Sequence, residues 1–176
     1  LYDRIADTHQ ALVKIPNSKT PNRLKADNLG MSANAQVLVF ESAQNDLVSD
    51  DLNPGTDIFV QNLATGEIRL VSQLGEGYPL YGQNFNPAIS PDGRYIVFVS
   101  TAEREQAIYL YDAELAFVHK VTNLGNTSQP VISDDGRFIV FASTLPLDSN
   151  ATERQNNIFV LEKLSIRNSN RYHYRR

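Results

Sequence analysis

Apolar residues in this chain fall in short unbroken runs instead of alternating singly with polar ones. Tyr95-Ile96-Val97-Phe98-Val99 and Phe138-Ile139-Val140-Phe141-Ala142 are the clearest. A run this short, bounded by turn residues, predicts a strand buried on both faces. An antiparallel strand of that kind needs a sheet stacked on each side of it. Each run is entered through the same turn. Ser90-Pro91-Asp92-Gly93-Arg94 precedes the first and Ser133-Asp134-Asp135-Gly136-Arg137 the second. Asp92, Asp134 and Asp135 sit where turn chemistry wants a carboxylate, and Gly93 and Gly136 where a type I turn with a bulge needs positive φ. A weaker copy, Ser32-Ala33-Asn34-Ala35-Gln36, leads into Val37-Leu38-Val39-Phe40. It has no glycine, and an L-residue forced into the left-handed region costs roughly 1–2 kcal/mol. This copy is therefore expected to turn differently.

The runs are parts of a larger repeat. A second apolar strand follows each: Asp57 to Gln61, Ala107 to Tyr111 and Asn157 to Leu161. The loops before these strands are long, short and long. A further strand follows a polar turn at Glu67 to Ser72 and again at Phe117 to Thr122, with Ala64-Thr65-Gly66 as a good hairpin turn. Short segments with proline at the same place, Asn86-Pro87-Ala88-Ile89 and Gln129-Pro130-Val131-Ile132, precede the turns. Proline there suits a strand with one unpaired edge. The spacing from Ser90 to Ser133 is 43 residues, the length of a four-stranded propeller blade. The expected fold is all-β: a partial β-propeller of about three and a half four-stranded antiparallel blades.

The Ser-Pro-Asp-Gly-Arg-Tyr-Ile-Val-Phe-Val-Ser and Ser-Asp-Asp-Gly-Arg-Phe-Ile-Val-Phe-Ala-Ser strings resemble the WD-repeat-like blades of TolB-type propellers. Related blades occur in the propeller domains of prolyl-oligopeptidase-like peptidases. The resemblance covers nearly the whole chain and is specific for fold, not for function. It implies a non-catalytic scaffold for protein–protein interaction in the bacterial cell envelope, periplasmic or extracellular. The alternative it implies is the substrate-gating propeller of a serine peptidase whose catalytic domain lies outside this chain.

In order along the chain, residues 1–15 read as the last two strands of a blade. Blades follow at 24–74, 85–124 and 126–164, with 165–176 as a candidate outer strand for the last. Leu1-Tyr2-Asp3 copies Leu110-Tyr111-Asp112, which lies in mid-blade, so the numbering is expected to begin inside a longer or processed protein. Propellers close with at least four blades. The missing blades are expected from the rest of a longer chain or from a second copy.

Composition narrows the function classes. The 176 residues carry a net charge of −4, which argues against nucleic-acid binding. There is no cysteine, so disulfide and thiolate chemistry are excluded. No apolar run approaches the ~18 residues of a membrane span, and no signal peptide opens the chain. No G-x-S-x-G elbow is present, and His9, His119 and His173 show no metal-binding spacing. No catalytic residue is assigned.

Two loops carry candidate binding chemistry. Asp51, Asn53 and Asp57 stand on one long loop with Asp46 and Asp50, and hard oxygens clustered on a flexible loop are what Ca²⁺ requires. An acidic, solvated loop with local Asx turns gives the same pattern, and no other cofactor is expected. A weaker copy of this loop runs from Asp148 to Glu153. Tyr78 and Tyr81 flank Pro79-Leu80 on the crossing between blades, on the same rim as the acidic loop. Tyrosines on loops above a rigid scaffold suit contact with a protein partner. Alternatively they plug the gap between blades. The basic end, with Lys163, Arg167, Arg171, Arg175 and Arg176, reads either as a lure for an acidic partner or as a solvated tail.

Overall fold

The turns and apolar runs organise the described residues, in a computed structural model, into three four-stranded antiparallel sheets and one two-stranded ribbon. The structure describes residues 2–3, 8–9, 26–75, 78–122, 126–144, 156–163 and 172–175, the side chains of 2–3, 8–9 and 172–175 excepted. The ribbon pairs β1 (Tyr2–Asp3) with β2 (Thr8–His9). The first full sheet runs β3 (Asp27–Met31), β4 (Val37–Ser42), β5 (Asp57–Asn62), β6 (Ile68–Leu70). The second runs β7 (Asn84–Ile89), β8 (Tyr95–Ser100), β9 (Ala107–Asp112), β10 (Phe117–Lys120). The third runs β11 (Thr127–Ile132), β12 (Phe138–Ser143), β13 (Asn157–Lys163), β14 (Tyr172–Arg175). Every strand pairs with its neighbour in sequence, so each sheet is a simple meander. This is the expected partial propeller.

The blades stack through their faces. β7 lies against β3 and β4, and β11 lies against β7 and β8. The pleat of blade 2 shows why its runs do not alternate. Ile96, Phe98 and Tyr109 pack with Val39, Ile58 and Val71 of blade 1. The intervening Val97 and Val99, with Ile108 and Leu110, pack with Ile139, Phe141 and Leu161 of blade 3. Successive side chains point to opposite faces, and both faces are dry. A third cluster, Leu38, Phe40, Phe59 and Leu70, fills the other face of blade 1, with Leu47 folded over it from the long β4–β5 loop.

The three turns are one motif. The Ser90 hydroxyl donates to Asp92 and accepts from the Tyr95 amide. Ser133 does the same with Asp135 and Phe138. Ser32 does it with Asn34 and Val37. The first copy does not turn differently after all: Ala35 takes the glycine's place at φ 53°, with its amide bonded to Ser32 O at 2.9 Å. The serine and Asx bonds and the strands on either side outweigh the left-handed penalty. Turn and third strand are pinned by Arg94 on Asp112, at 2.9 Å, and by Arg137 on Glu162. Burial works against the charge on Asp112, but the Arg94 bond and charge together with the Glu114 and Leu115 amides hold its carboxyl below the usual range.

The innermost strands share an unforeseen feature. Each breaks its ladder to β4, β8 or β12 with a bulge, at a residue of positive φ: Asn28 at 48°, Asn86 at 53° and Gln129 at 51°. Pro87 and Pro130 follow directly, where the missing N–H costs the ladder nothing. Asn28 and Asn86 meet across the blades at 3.1 Å. Glu41 accepts from the Asn28 side chain at 2.8 Å and from the Asn86 amide at 2.6 Å.

Candidate functional site

Antiparallel order puts the β4–β5 loop, the β6–β7 crossing and the β8–β9 loop on one rim. The long loop from Asp46 to Thr56 would be loose if only its own turns held it. It is instead tied to the crossing by Asn53, whose side chain is buried. Asn53 Nδ2 donates to Gly82 O at 2.8 Å and to Asp57 Oδ2 at 2.9 Å, and Gly82 N returns a bond to Asn53 Oδ1 at 3.3 Å. The Thr56 amide bonds Gln83 Oε1, and the Asn84 amide bonds Thr56 O at 2.8 Å. Gly55 makes this contact possible. A Cβ there would fall 3.0 Å from Gln83 Nε2 and closer still to Gly82 O. Gln83 in turn exchanges bonds with Thr101 on the β8–β9 loop, 2.9 Å from amide to hydroxyl. The three loops form one braced frame.

Asp57 is the anchor beneath this frame. Its carboxylate is fully buried and accepts from Ser72 Oγ at 2.6 Å, Asn84 Nδ2 at 3.0 Å and Asn53 Nδ2. Burial pushes its pKa up to about 6, against the pull of those three donors, which stabilise the charge. The same burial raises Asp51, whose carboxylate accepts from the Asn53 amide at 3.2 Å. Asp51, Asn53 and Asp57 are therefore brought together. Asn53 offers the carboxylate an amide N–H there, so a Ca²⁺ ion ligated by both would have to reorient that amide. Among the described residues no group of three or more His, Asp or Glu side chains gathers as metal ligands do. Residues Asp148 to Glu153 lie outside the described residues, as do Arg167, Arg171 and Arg176.

The crossing splits its apolar residues between two tasks. Leu80 goes inward and joins the core between blades 1 and 2. Tyr78 and Tyr81, on either side of it, are 72% and 60% exposed, and Leu52 on the neighbouring loop is 63% exposed. The joint is filled by Leu80 and not by the tyrosines. Leu52 precedes Asn53 and Tyr81 precedes Gly82, so the clamp that joins the loops also fixes the attachment points of both exposed side chains. Ser100 and Ser143, by contrast, are buried strand ends. His119 lies on β10 in edge contact with Phe117, and burial lowers its pKa. Asp92, Gly93, Asp135 and Gly136 all serve their turns.

Sequence reasoning missed Ser72, Asn84 and Leu52. One signal was present for the clamp. At the start of the third strand Asp57 stands where the other blades have Ala107 and Asn157, and Asn84 opens β7 where β11 opens with Thr127.

No family model matches the chain, and no curated protein matches it. Solved structures do. TolB from Acinetobacter baumannii is 19% identical with a TM-score of 0.55, over 86% of this chain and 32% of that one. The β-propeller domain of the Trilobed protease from Pyrococcus furiosus, which has an open velcro topology, is 15% identical with a TM-score of 0.57, over 79% of this chain and 39% of that one. An acylaminoacyl peptidase from Pyrococcus horikoshii is 15% identical with a TM-score of 0.52, over 80% of this chain and 23% of that one. The chain thus spans well under two thirds of each. At these identities the likeness is one of fold, and it falls on TolB and on peptidase propellers, the two groups that the turn-and-strand repeat resembles. Among the described residues no helix is long and apolar enough to cross a membrane.

Proposed function

We propose that this chain is a non-catalytic binding scaffold that holds a protein partner on the rim formed by the β4–β5 loop and the β6–β7 crossing. The observation that carries this reading is the pair of exposed tyrosines, Tyr78 and Tyr81, on a crossing locked to its neighbour by Asn53. Aromatic side chains on a rigid backbone lose little entropy on binding, which is why they recur as anchors in protein interfaces. The frame supplies the rigidity. The likeness to TolB supports a cell-envelope setting, periplasmic or extracellular.

The test uses Tyr78→Ala and Tyr81→Ala with a photo-crosslinking residue at position 52. The variants are expected to melt with the parent protein and to lose the partner that crosslinks to it. A crosslinked partner retained at full yield by the double variant would overturn the reading.

A second reading is supported by the likeness to the acylaminoacyl peptidase. Here the chain is the gating propeller of a prolyl-oligopeptidase-like serine peptidase, with catalysis on polypeptide outside these residues. A G-x-S-x-G-bearing hydrolase region in the parental reading frame would favour it.

A further inference from the structure

The blade repeat places one isoleucine at the second position of each third strand: Ile58, Ile108 and Ile158. The first two are 0% exposed and the third is 78% exposed. The difference runs across the whole face. In blade 2, Val97 pairs with Leu110 and Val99 with Ile108, and all four are buried against blade 3. The matching pairs in blade 3 are Val140 with Val160 and Ala142 with Ile158. They point away from blade 2, because Ile139, Phe141 and Leu161 of the same strands fill the joint with it. Val131, opposite Val140 on β11, is 54% exposed. Phe138 repeats Tyr95 at the head of the strand, and among the described residues no turn glycine lies on it as Gly136 lies on Tyr95. Valine, alanine and isoleucine in this pattern form a contiguous apolar sheet face, which soluble proteins keep covered.

We propose that this face, centred on Ile158, is a docking surface for the leading face of a further four-stranded blade carried on polypeptide outside residues 1–176. The two joints within the chain show the chemistry of the occupant. Blade 2 covers Val39 and Ile58 with Ile96, Phe98 and Tyr109. Blade 3 covers Val97 and Ile108 with Ile139, Phe141 and Leu161. The occupant therefore presents a large aliphatic and an aromatic residue two apart on its second strand, and a glycine turn over Phe138. A second copy of these residues does not offer that face. Among the described residues the matching leading face is that of blade 1, and it is already buried within the chain: Leu38, Phe40 and Phe59 are covered, with Leu47 and Val48 from the β4–β5 loop packed on them.

The absence of cysteine allows a direct test. Ile158→Cys gives a single thiol, and Ile108→Cys gives the buried reference. In the 176-residue chain Cys at 158 is expected to label about a hundredfold faster than Cys at 108, because one stands open and the other needs the sheet to open first. The chain is then extended through a flexible linker with a second copy of residues 84–122, whose leading face carries Ile96, Phe98 and Tyr109. Labelling at 158 is expected to slow about tenfold or more. Phe98→Asp in the appended blade alone is expected to restore the fast rate. A fast rate in the extended chain overturns the proposal, as does protection at 158 before extension. Protection that grows with protein concentration, with a doubled mass by light scattering, assigns the face to a second copy and overturns it equally.

Discussion

Gly136 lies against the ring of Tyr95, one blade back. A Cβ at that glycine would stand 3.0 Å from Tyr95 Cγ and closer still to Cδ2 and Cε2, at a φ of 65°. The turn of blade 3 thus serves also as the lid of the joint with blade 2. Gly136→Ala meets two costs, left-handed strain of roughly 1–2 kcal/mol and overpacking of roughly 1–3 kcal/mol. Chemical denaturation should show a loss of about 2–5 kcal/mol. Adding Tyr95→Leu should recover part of the overpacking and none of the strain.

The reverse substitution applies one repeat earlier. Ala35 sits at φ 53° in a turn closed by the bond from its amide to Ser32 O. Ala35→Gly should stabilise the fold by about 1 kcal/mol, after the extra entropy of glycine in the unfolded chain is subtracted. A melting temperature that is unchanged or lower would mean the turn is held less tightly than its serine and Asx bonds imply.

Asp57 makes stability depend on pH in an unusual direction for a carboxylate. Its pKa is about 6 in the folded chain against 3.8 for the free side chain. Between these values the folded state binds the extra proton, so this group's contribution is full below pH ~4 and is lost as pH rises through ~6. Asp112 and Glu103 carry lowered pKa values and act oppositely, losing stability as pH falls. The measurement is therefore the difference between parent and Asp57→Asn. The parent should lose ground to the variant across pH 4 to 6 and hold a constant offset above it. A difference that is flat through that window would refute the burial argument.

Asn53 and Tyr81 should separate framework from contact. Asn53→Ala removes donors from Asp57 and Gly82 and leaves a buried carboxylate less satisfied, at a cost of about 1–3 kcal/mol. Tyr81→Ala, on an exposed side chain, should change stability by no more than about 0.5 kcal/mol. Equal destabilisation by both would return Tyr81 to the framework.

The fold was legible because its signals are local. Asp92-Gly93 and Asp135-Gly136 announce turns within a few residues of the strands they feed, and the apolar runs state that both faces are covered. The rim was legible only in outline. Tyr78 and Tyr81 stood out as aromatics in a loop, but whether they point in or out depends on Leu80, which fills the joint in their place. The clamp could not be read along the chain, since Asn53 and Gly82, or Asp57 and Asn84, meet only after two blades have stacked. The bulges at Asn28, Asn86 and Gln129 were half visible, as prolines without the left-handed residue before two of them.

Leu47 gives the stack a polarity. A module with one greasy end and one matching socket tends to string itself head to tail into open filaments. Here the leading face of blade 1 is roofed by a loop of its own chain, and of the two outer blade faces among the described residues the one at Ile158 is open. On the proposal above, that asymmetry would keep a chain of near-identical units from stringing onto itself while one end accepts its complement.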